Sequence, residues 1–343
     1  MEYNIDILVA GCNTTCLHCY VNGGIGPSMS YNDFKICMEK LSPVFTKLNK
    51  HVSFTLDNEV FNHENALEIL ELVEDKYKDY YFHHGSTTGI AFLKHPKQKQ
   101  LIHLLKRNNW DFVSFAIHAN HEKHNEIVHC KDALQKIIDA SKICKDNNFK
   151  VLLSIMISKT LLADLDGINE VLDTISYDRI LAVIPDYYPT TRLNKYQAIR
   201  CNKDEYNDII HFFKQRNVKV EDIEKCVHIC NEENVLKNIN LHEIKNTLTS
   251  ENTVVLHIDH KLNFYCGNTG SSIQFLGNIK EMSSDDIYDK LLHCKDNYYE
   301  TSNIHYEDIL DAIKNNTFKK SKENYVYPNA IAALIAMLHN YKK

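Results

Sequence analysis

The stretch Cys12-Asn13-Thr14-Thr15-Cys16-Leu17-His18-Cys19-Tyr20 places three cysteines close together, shortly after an apolar run, Ile5–Val9. This run predicts a strand, and binding sites of α/β folds form at the carboxyl ends of their strands. Thiolates on a short loop suit iron, and iron–sulfur clusters are held by cysteine. The stretch therefore predicts an iron–sulfur site. The alternatives are three unrelated cysteines, or a zinc knuckle with His18 as a poorly spaced fourth ligand.

Outward from this motif, the sequence alternates short apolar strands with amphipathic helices. Each strand is followed by apolar residues at steps of three and four, which is the spacing of a helix face. Six such units predict a parallel sheet covered by helices; periodicity does not distinguish an open sheet from a partial or closed barrel. The predicted strands are Ile5–Val9, Val52–Leu56, Tyr80–Phe82, Phe112–Ile117, Val151–Ile157 and Arg179–Ile184.

The alternation of strands and helices ends near residue 220. Beyond it, Val254–Ile258, a turn and Phe264–Cys266 predict a small hairpin with helices on either side. We therefore predict two domains: residues 1–220 form the β/α domain, and residues 221–343 form a small α+β domain.

The composition is that of an ordinary soluble protein, with 44% hydrophobic residues, 24% charged residues and a net charge of −6. A nucleic acid partner is not expected from this charge, although an RNA-modifying enzyme with a local basic groove stays open. Eleven cysteines without a regular spacing suggest reduced thiols and metal ligands. Leu8–Cys12 resembles a lipoprotein cleavage box, but the preceding residues lack the required basic and apolar segments. We expect a cytoplasmic protein without a membrane span.

The C-x3-C-x2-C spacing after a first strand resembles the signature of the radical S-adenosylmethionine (SAM) superfamily. The resemblance covers most of residues 5–220 and implies a partial (β/α)6 barrel. It also implies a 4Fe–4S cluster on Cys12, Cys16 and Cys19, with one iron open to the amino and carboxylate groups of SAM. In that family, an electron from the cluster cleaves SAM, and the resulting 5′-deoxyadenosyl radical takes a hydrogen atom from the substrate. The cofactor carries the chemistry, and the protein positions the reactants.

Positions near the first two strands match SAM contacts of this family. His18 stands where the family usually has an aromatic residue that packs near SAM. Glu59 aligns with the acid of a Gly-Gly-Glu motif that contacts the methionine amino group, and Asp57 and Asn58 replace the two glycines. The resemblance therefore implies that His18, Asn58 and Glu59 bind SAM. An exposed Asp-Asn-Glu turn before a helix is the alternative.

Further candidates follow the later strands. Ala116–Asn120 stands where the peptide-modifying branch often has Ser-x-Asp-Gly, and His118 within it is a candidate for SAM binding or catalysis; a structural histidine is the alternative. Ser154 aligns with a polar position near the SAM ribose, with an ordinary strand serine as the alternative. Asp186 and Arg192 are catalytic candidates after the sixth strand. An arginine there can bind a carboxylate of SAM or substrate, or be a solvated loop residue.

The segments Tyr265–Asn268 and Leu276–Ile279 resemble the hairpin of SPASM and twitch domains, which bind auxiliary iron–sulfur clusters. Two parts of that cysteine pattern are missing, since residues 231–265 contain no cysteine and no C-x2-C pair follows residue 294. A reduced domain without a cluster is therefore favoured over a second cluster. The cysteines that could hold a second cluster are Cys226, Cys230, Cys266 and Cys294.

The resemblance implies an enzyme that takes a hydrogen atom from a peptide during the maturation of a peptide or natural product. A small metabolite, such as a sugar or an antibiotic precursor, is the alternative substrate, because no peptide-recognition segment is evident before the cluster motif. The altered motifs leave a further alternative, a degenerate fold that binds a ligand without catalysis. The expected protein partner is an electron donor such as flavodoxin or ferredoxin.

Overall fold

The computed structural model describes most of the chain as two compact units. The first unit comprises Met1–Thr14, Gly23–Asp111 and Leu248–Asn303, and the second comprises Thr15–Asn22, Phe112–Thr247 and Ile304–Lys343. The described residues are 2–84, 86–110, 112–185, 192–216, 227–228, 253–267, 274–293, 306–315, 324–328 and 330–341.

Strands and helices alternate along the first two-thirds of the chain. The strands are β1 Glu2–Leu8, β2 His51–Asp57, β3 Tyr81–His84, β4 Phe112–Ile117, β5 Lys150–Met156, β6 Arg179–Val183, β7 Val227–His228, β8 Thr253–Ile258, β9 Asn263–Cys266, β10 Gln274–Asn278 and β11 Val326–Tyr327. The α-helices are α1 Tyr31–Leu48, α2 Ala66–Tyr77, α3 Ile90–Lys94, α4 Gln98–Arg107, α5 His121–Val128, α6 Ala133–Asp146, α7 Lys159–Leu162, α8 Leu165–Thr174, α9 Lys203–Gln215, α10 Ser284–His293, α11 Tyr306–Asn315 and α12 Ala330–Tyr341. Two 3-10 helices span Val60–Asn62 and Arg192–Ile199.

The first unit is built on a six-stranded sheet with the order β10-β9-β8-β1-β2-β3. The four strands from β8 to β3 run parallel, while β8, β9 and β10 form an antiparallel meander. β1 therefore lies between β2 and β8, and the loop that follows it leaves from the middle of the sheet. Loops that leave the carboxyl ends of central parallel strands are where α/β folds place their sites.

One face of this sheet carries an aromatic core. Phe54 of β2 stacks on Phe82 of β3 with ring centroids 4.8 Å apart, and Phe45 of α1 lies 6.1 Å from Phe54 and 5.6 Å from Tyr3 of β1. The alternation of buried residues along β1 and β2 produces this face, because successive side chains of a strand point to opposite sides. Burial of these rings stabilises the unit by roughly 1.5–3 kcal/mol each.

Lys40 of α1 fixes the turn between β10 and α10. Its Nζ donates hydrogen bonds to the backbone carbonyls of Ile279, Lys280 and Met282 at 2.7–2.8 Å. A single ammonium group thus satisfies three carbonyls that follow the last strand of the sheet.

The second unit is built on a three-stranded parallel sheet, β4-β5-β6, with helices in the connections. Its C-terminal segment is held through Arg200, which is buried between the rings of Tyr196 and Tyr327. The Arg200 guanidinium also donates to the Gln197 side-chain oxygen and the Val326 carbonyl. This buried cation is therefore stabilised by two rings and by hydrogen bonds.

The α/β class with parallel strands is confirmed, and all six predicted strands are present. The predicted hairpin corresponds to β8 and β9, and α10 begins where a helix was expected. The boundary near residue 220 lies outside the described residues, so the division into 1–220 and 221–343 stays a prediction. Among the described helices, we find none with the length and apolar character needed to cross a bilayer.

Candidate active site

Cys12 is held against the glycine-rich loop that follows the cysteine motif. Its backbone N–H donates to the Gly24 carbonyl at 2.7 Å, and its Sγ lies 3.2 Å from Thr14 Oγ1. Gly11 packs against the same loop so closely that an added Cβ would lie 2.7–2.8 Å from backbone atoms of Gly24 and Gly26. The half-buried Cys12 thiol therefore stands on a backbone with little freedom to shift.

Gly11→Ala is expected to displace Cys12 and to lower the amount of iron that the protein binds. The new methyl group meets backbone atoms rather than a flexible side chain, and overpacking of this kind costs about 1–3 kcal/mol. Gly26→Ala is the matched control, because its Cβ would lie 3.6 Å from the Gly24 carbonyl oxygen, an ordinary contact. Iron content after anaerobic reconstitution, with the melting temperature, checks the prediction. Equal iron in both variants would contradict it.

The other two cysteines belong to the second unit, where their loop is tied to the end of α5. The backbone N–H of Leu17 donates to the Ile127 carbonyl at 2.9 Å, and that of Thr15 donates to the Val128 carbonyl at 3.4 Å. The last carbonyls of a helix have no helical partner, so the loop satisfies two of them. Cys16 also packs against an apolar cluster that includes Ile127 and Val128. The end of α5 thus fixes the loop that carries Cys16 and Cys19.

The chemistry of this donor set fits an iron–sulfur cluster. Cys12, Cys16 and Cys19 are half-buried thiols within one short segment of chain. In the described part of the chain, no three His, Cys, Asp or Glu side chains converge where a single metal ion could bind. In a 4Fe–4S cluster held by three cysteines, each thiolate binds a separate iron.

Three histidines of the second unit form a buried chain that begins at the motif. Nε2 of His18 lies 3.1 Å from Nδ1 of His118, and the backbone N–H of His118 donates to Nδ1 of His124 at 3.3 Å. Burial lowers the pKa of His18 and of His124 to about 4. Burial, with His18 and His124 as neighbours, lowers the pKa of His118 well below its usual value. The three rings are therefore uncharged at neutral pH.

The ring of Tyr196 also contacts His18. The two ring centroids lie 5.9 Å apart in an edge arrangement, and the Tyr196 hydroxyl donates to the Ile157 carbonyl. Tyr196 is in turn stacked under Arg200, whose guanidinium carbon lies 4.9 Å from its ring centroid. Burial raises the pKa of the Tyr196 hydroxyl, which therefore stays protonated.

Glu59 is buried, and its carboxylate accepts hydrogen bonds from threonines of the first unit. The hydroxyls of Thr87 and Thr88 and the backbone N–H of Thr88 each donate to it at 2.9 Å. Burial raises the pKa of Glu59, and these hydrogen bonds oppose the rise. Asn58 has a left-handed backbone with φ of 60°, a conformation that glycine adopts freely and asparagine tolerates. Glu59 and Asn58 as SAM contacts stay predictions.

The sheet face opposite the aromatic core is polar. The Ser53 hydroxyl donates to the Asn4 side-chain oxygen at 2.5 Å, Asp6 is close enough to Asp57 for their charges to interact, and His257 is the β8 partner of Asp6. Parallel strands covered by helices on both sides are usually apolar on both faces. This polar face therefore departs from the apolar pattern of a parallel sheet that is covered by helices on both sides.

Asp6→Asn is expected to stabilise the protein more at high pH than at low pH. Burial and the Asp57 charge raise the pKa of Asp6 from 3.8 to about 7, while a Thr55 hydrogen bond opposes the rise. The folded state thus holds a proton that the unfolded state releases above pH 3.8. The free energy of unfolding therefore falls as the pH rises from 3.8 to about 7. Asparagine carries no such proton, so Asp6→Asn avoids this decrease, which is on the order of 2–4 kcal/mol.

Denaturant unfolding of wild type and of Asp6→Asn at about pH 5 and pH 8 checks this sign. The stability gain from the asparagine should be larger at the higher pH. Asp75→Asn on the exposed face of α2 serves as the control for the loss of one carboxylate. A gain from Asp6→Asn that is equal at both pH values would contradict the prediction.

The remaining predicted site residues lie in several places. Ser154 Oγ is 3.2 Å from Ser114 Oγ, and the backbone N–H of Arg192 donates to Asn22 Oδ1 at 2.7 Å. Cys266 is fully buried in β9. The roles predicted for these residues stay predictions. The candidates outside the described residues are Asp186, Cys226, Cys230 and Cys294.

Sequence reasoning missed Asp6, His257 and the contact between His18 and His118. The polar face could have been found from the sequence, because Asn4 and Asp6 alternate with apolar residues inside a strand expected to be apolar throughout. The contact between His18 and His118 could not have been found from the sequence, since the two residues are about a hundred positions apart.

Comparison with known proteins gives a family match and a fold match. Residues 7–170 match the family model described as the radical SAM superfamily. No curated protein matches the chain in sequence. A solved structure described as native anSMEcpe with bound AdoMet and Cp18Cys peptide is 14% identical with a TM-score of 0.61, over 99% of this chain and 96% of that chain. Streptococcus suis SuiB bound to precursor peptide SuiA is 11% identical with a TM-score of 0.51, over 76% of this chain and 58% of that chain.

These findings define the class. The strand–loop–helix region with the cysteine motif is a radical SAM domain, and the fold agrees with the partial barrel of such enzymes. Residues 7–170 of this chain form a radical SAM domain, and the protein is a radical SAM enzyme. The family implies a 4Fe–4S cluster and SAM as cofactors.

Proposed function

We propose that this enzyme cleaves SAM reductively at a 4Fe–4S cluster held by Cys12, Cys16 and Cys19 and takes a hydrogen atom from a peptide. The observation that carries the proposal is the C-x3-C-x2-C loop at the carboxyl end of β1, within the region that matches the radical SAM family. When bound, the cluster and SAM supply the radical that abstracts the hydrogen atom.

The residues of this chain hold and shield the reactants. The backbone contacts of Cys12 with the glycine-rich loop, and of the Cys16 and Cys19 loop with α5, fix the three thiolates. Buried, uncharged His18 supplies a ring that can pack on SAM, as the family resemblance implies. Glu59, Asn58 and Ser154 are the further proposed SAM contacts. His118 is proposed to act at the SAM site, and Asp186 and Arg192 are the proposed candidates near the reacting groups.

Two observations favour a peptide as the substrate. The fold is shared over nearly the whole chain with anSMEcpe, a structure that contains a peptide, and over three quarters of it with SuiB bound to its precursor peptide. The polar face around Asp6, Asp57 and His257 offers carboxylates and an imidazole to hydrogen-bond a peptide backbone or a polar side chain. A small metabolite stays the alternative substrate.

The test is a reaction of anaerobically reconstituted, dithionite-reduced protein with SAM and a randomised peptide library. Mass spectrometry would follow 5′-deoxyadenosine and the peptide masses together. We expect a peptide mass change that accompanies 5′-deoxyadenosine formation and disappears in a Cys12/Cys16/Cys19→Ala variant. If 5′-deoxyadenosine forms with sugars or antibiotic precursors but with no peptide, the small-metabolite hypothesis is favoured. If no 5′-deoxyadenosine forms with any substrate, a non-catalytic protein is favoured.

An electron donor and a C-terminal domain without a cluster complete the proposal. Reductive cleavage needs one electron, for which we propose a flavodoxin or ferredoxin in the cytoplasm. Residues 221–343 are proposed as a reduced SPASM-like domain. An auxiliary cluster there would draw on the cysteines Cys226, Cys230, Cys266 and Cys294, and iron that remains after loss of the first three cysteines would reveal it.

A further inference from the structure

We propose that His118 is a positioning residue for SAM binding, because its hydrogen bond to His18 fixes the ring plane of His18 and links the tautomer of His18 to that of His118. The inference rests on the proposed function and deepens it. It assigns to His118 a role through His18, a residue of the cysteine motif, rather than direct contact with the reacting atoms.

The contact between the two rings is close and buried. Nε2 of His18 lies 3.1 Å from Nδ1 of His118, and the ring centroids are 4.8 Å apart at an interplanar angle of 75°. His18 is 5% exposed and His118 is 7% exposed. A buried ring nitrogen without a partner would be costly, so this bond is expected to persist.

His118 is itself held in place by its neighbours, so it can hold the His18 ring in one orientation. It follows the last residue of β4, and its backbone N–H donates to Nδ1 of His124 in the first turn of α5. The rings of His118 and His124 stack with centroids 5.4 Å apart and planes 27° apart. Asn120 caps α5 by accepting from the Lys123 N–H, which holds that first turn in place.

His18 also contacts Tyr196. The Tyr196 ring meets His18 edge-on, and its hydroxyl donates to the carbonyl of Ile157, the residue after β5. The His18 ring therefore contacts two fixed groups of the second unit. Rotation about the side-chain bonds of His18 would break its hydrogen bond to His118.

The hydrogen bond also decides what His18 can offer a ligand. In a neutral imidazole, one nitrogen donates and the other accepts. If His118 donates to Nε2 of His18, then Nδ1 of His18 carries the proton and is a donor; if His18 donates, its Nδ1 is an acceptor. The partner at one nitrogen thus sets the character of the other, as for histidines at metal sites.

The experiment compares three substitutions of His118 in reconstituted holoenzyme. His118→Asn places an amide near the position of Nδ1, His118→Gln places it further out, and His118→Leu removes it. The readouts are iron content and a SAM titration followed by the electron paramagnetic resonance of the reduced cluster. We expect His118→Leu and His118→Gln to keep the iron and to bind SAM about tenfold more weakly, while His118→Asn stays close to wild type.

His121→Leu is the matched control, since His121 is an exposed histidine in the first turn of α5, three residues after His118. It should bind SAM like wild type. Wild-type SAM affinity in His118→Leu would overturn the inference, and so would equal losses in His118→Asn and His118→Gln. If His118→Leu does not fold, the SAM affinities of His118→Asn and His118→Gln decide the question. A wild type without any SAM-dependent change in its spectrum would instead refute the proposed function.

Discussion

A Cys12/Cys16/Cys19→Ala variant is expected to lose about four irons per chain relative to wild type after anaerobic reconstitution. The three cysteines belong to one loop that follows β1, and they stand on backbone segments fixed by Gly24 and by the end of α5. Without the thiolates, the loop has no soft ligands for iron. We expect the fold to persist, because the three side chains are only half-buried, although Cys16 packs against one apolar cluster.

Iron and sulfide analysis of wild type and variant checks this expectation. Cys130→Ala is the matched control, since Cys130 is another half-buried cysteine that packs against the same apolar cluster as Cys16. It should retain all the iron. A triple variant with as much iron as wild type would contradict the assignment of the ligands. A remainder of iron would point to an auxiliary cluster.

Glu59→Ala is expected to lower the free energy of unfolding by about 3 kcal/mol, as when one partner of a buried charge or hydrogen-bond network is removed. The alanine leaves the hydroxyls of Thr87 and Thr88 and the N–H of Thr88 without their acceptor. Glu59→Gln should cost less, because the amide keeps one acceptor oxygen. Denaturant unfolding of the variants measures both effects.

A second measurement on these variants separates structure from SAM binding. If Glu59 also contacts the methionine amino group, Glu59→Gln should weaken SAM binding by at least about tenfold, since hydrogen bonds to charged groups are the stronger ones. Thr87→Val is the control, because it removes one donor to the carboxylate and keeps its charge. Equal SAM affinity in Glu59→Gln and Thr87→Val would assign Glu59 a structural role alone.

The strands and the cysteine motif could be predicted because their signals are local. Apolar runs such as Val52–Leu56 and helix faces at steps of three and four identify elements without tertiary information. The motif lies within nine residues and follows the first of these strands. His18 and His118 could be marked individually, since each stands in a motif position or at the end of a strand.

Pairings between distant segments could not be predicted. The parallel pairing of β8 with β1 places a C-terminal strand next to the first strand, and nothing in the periodicity of Thr253–Ile258 selects that neighbour. The hydrogen bond between His18 and His118 likewise depends on the packing of α5 and β4. Thr87 and Thr88, the threonines that donate hydrogen bonds to Glu59, lie in a loop that has no motif of its own.

The central claim is that the cluster held by the three cysteines keeps one iron open to SAM. Electron–nuclear double resonance on the reduced, reconstituted protein tests it, with SAM carrying a nitrogen-15 amino group or an oxygen-17 carboxylate. Hyperfine coupling from both labels to the cluster is the result that we predict. A four-iron cluster that shows coupling to neither label at saturating SAM would contradict the claim.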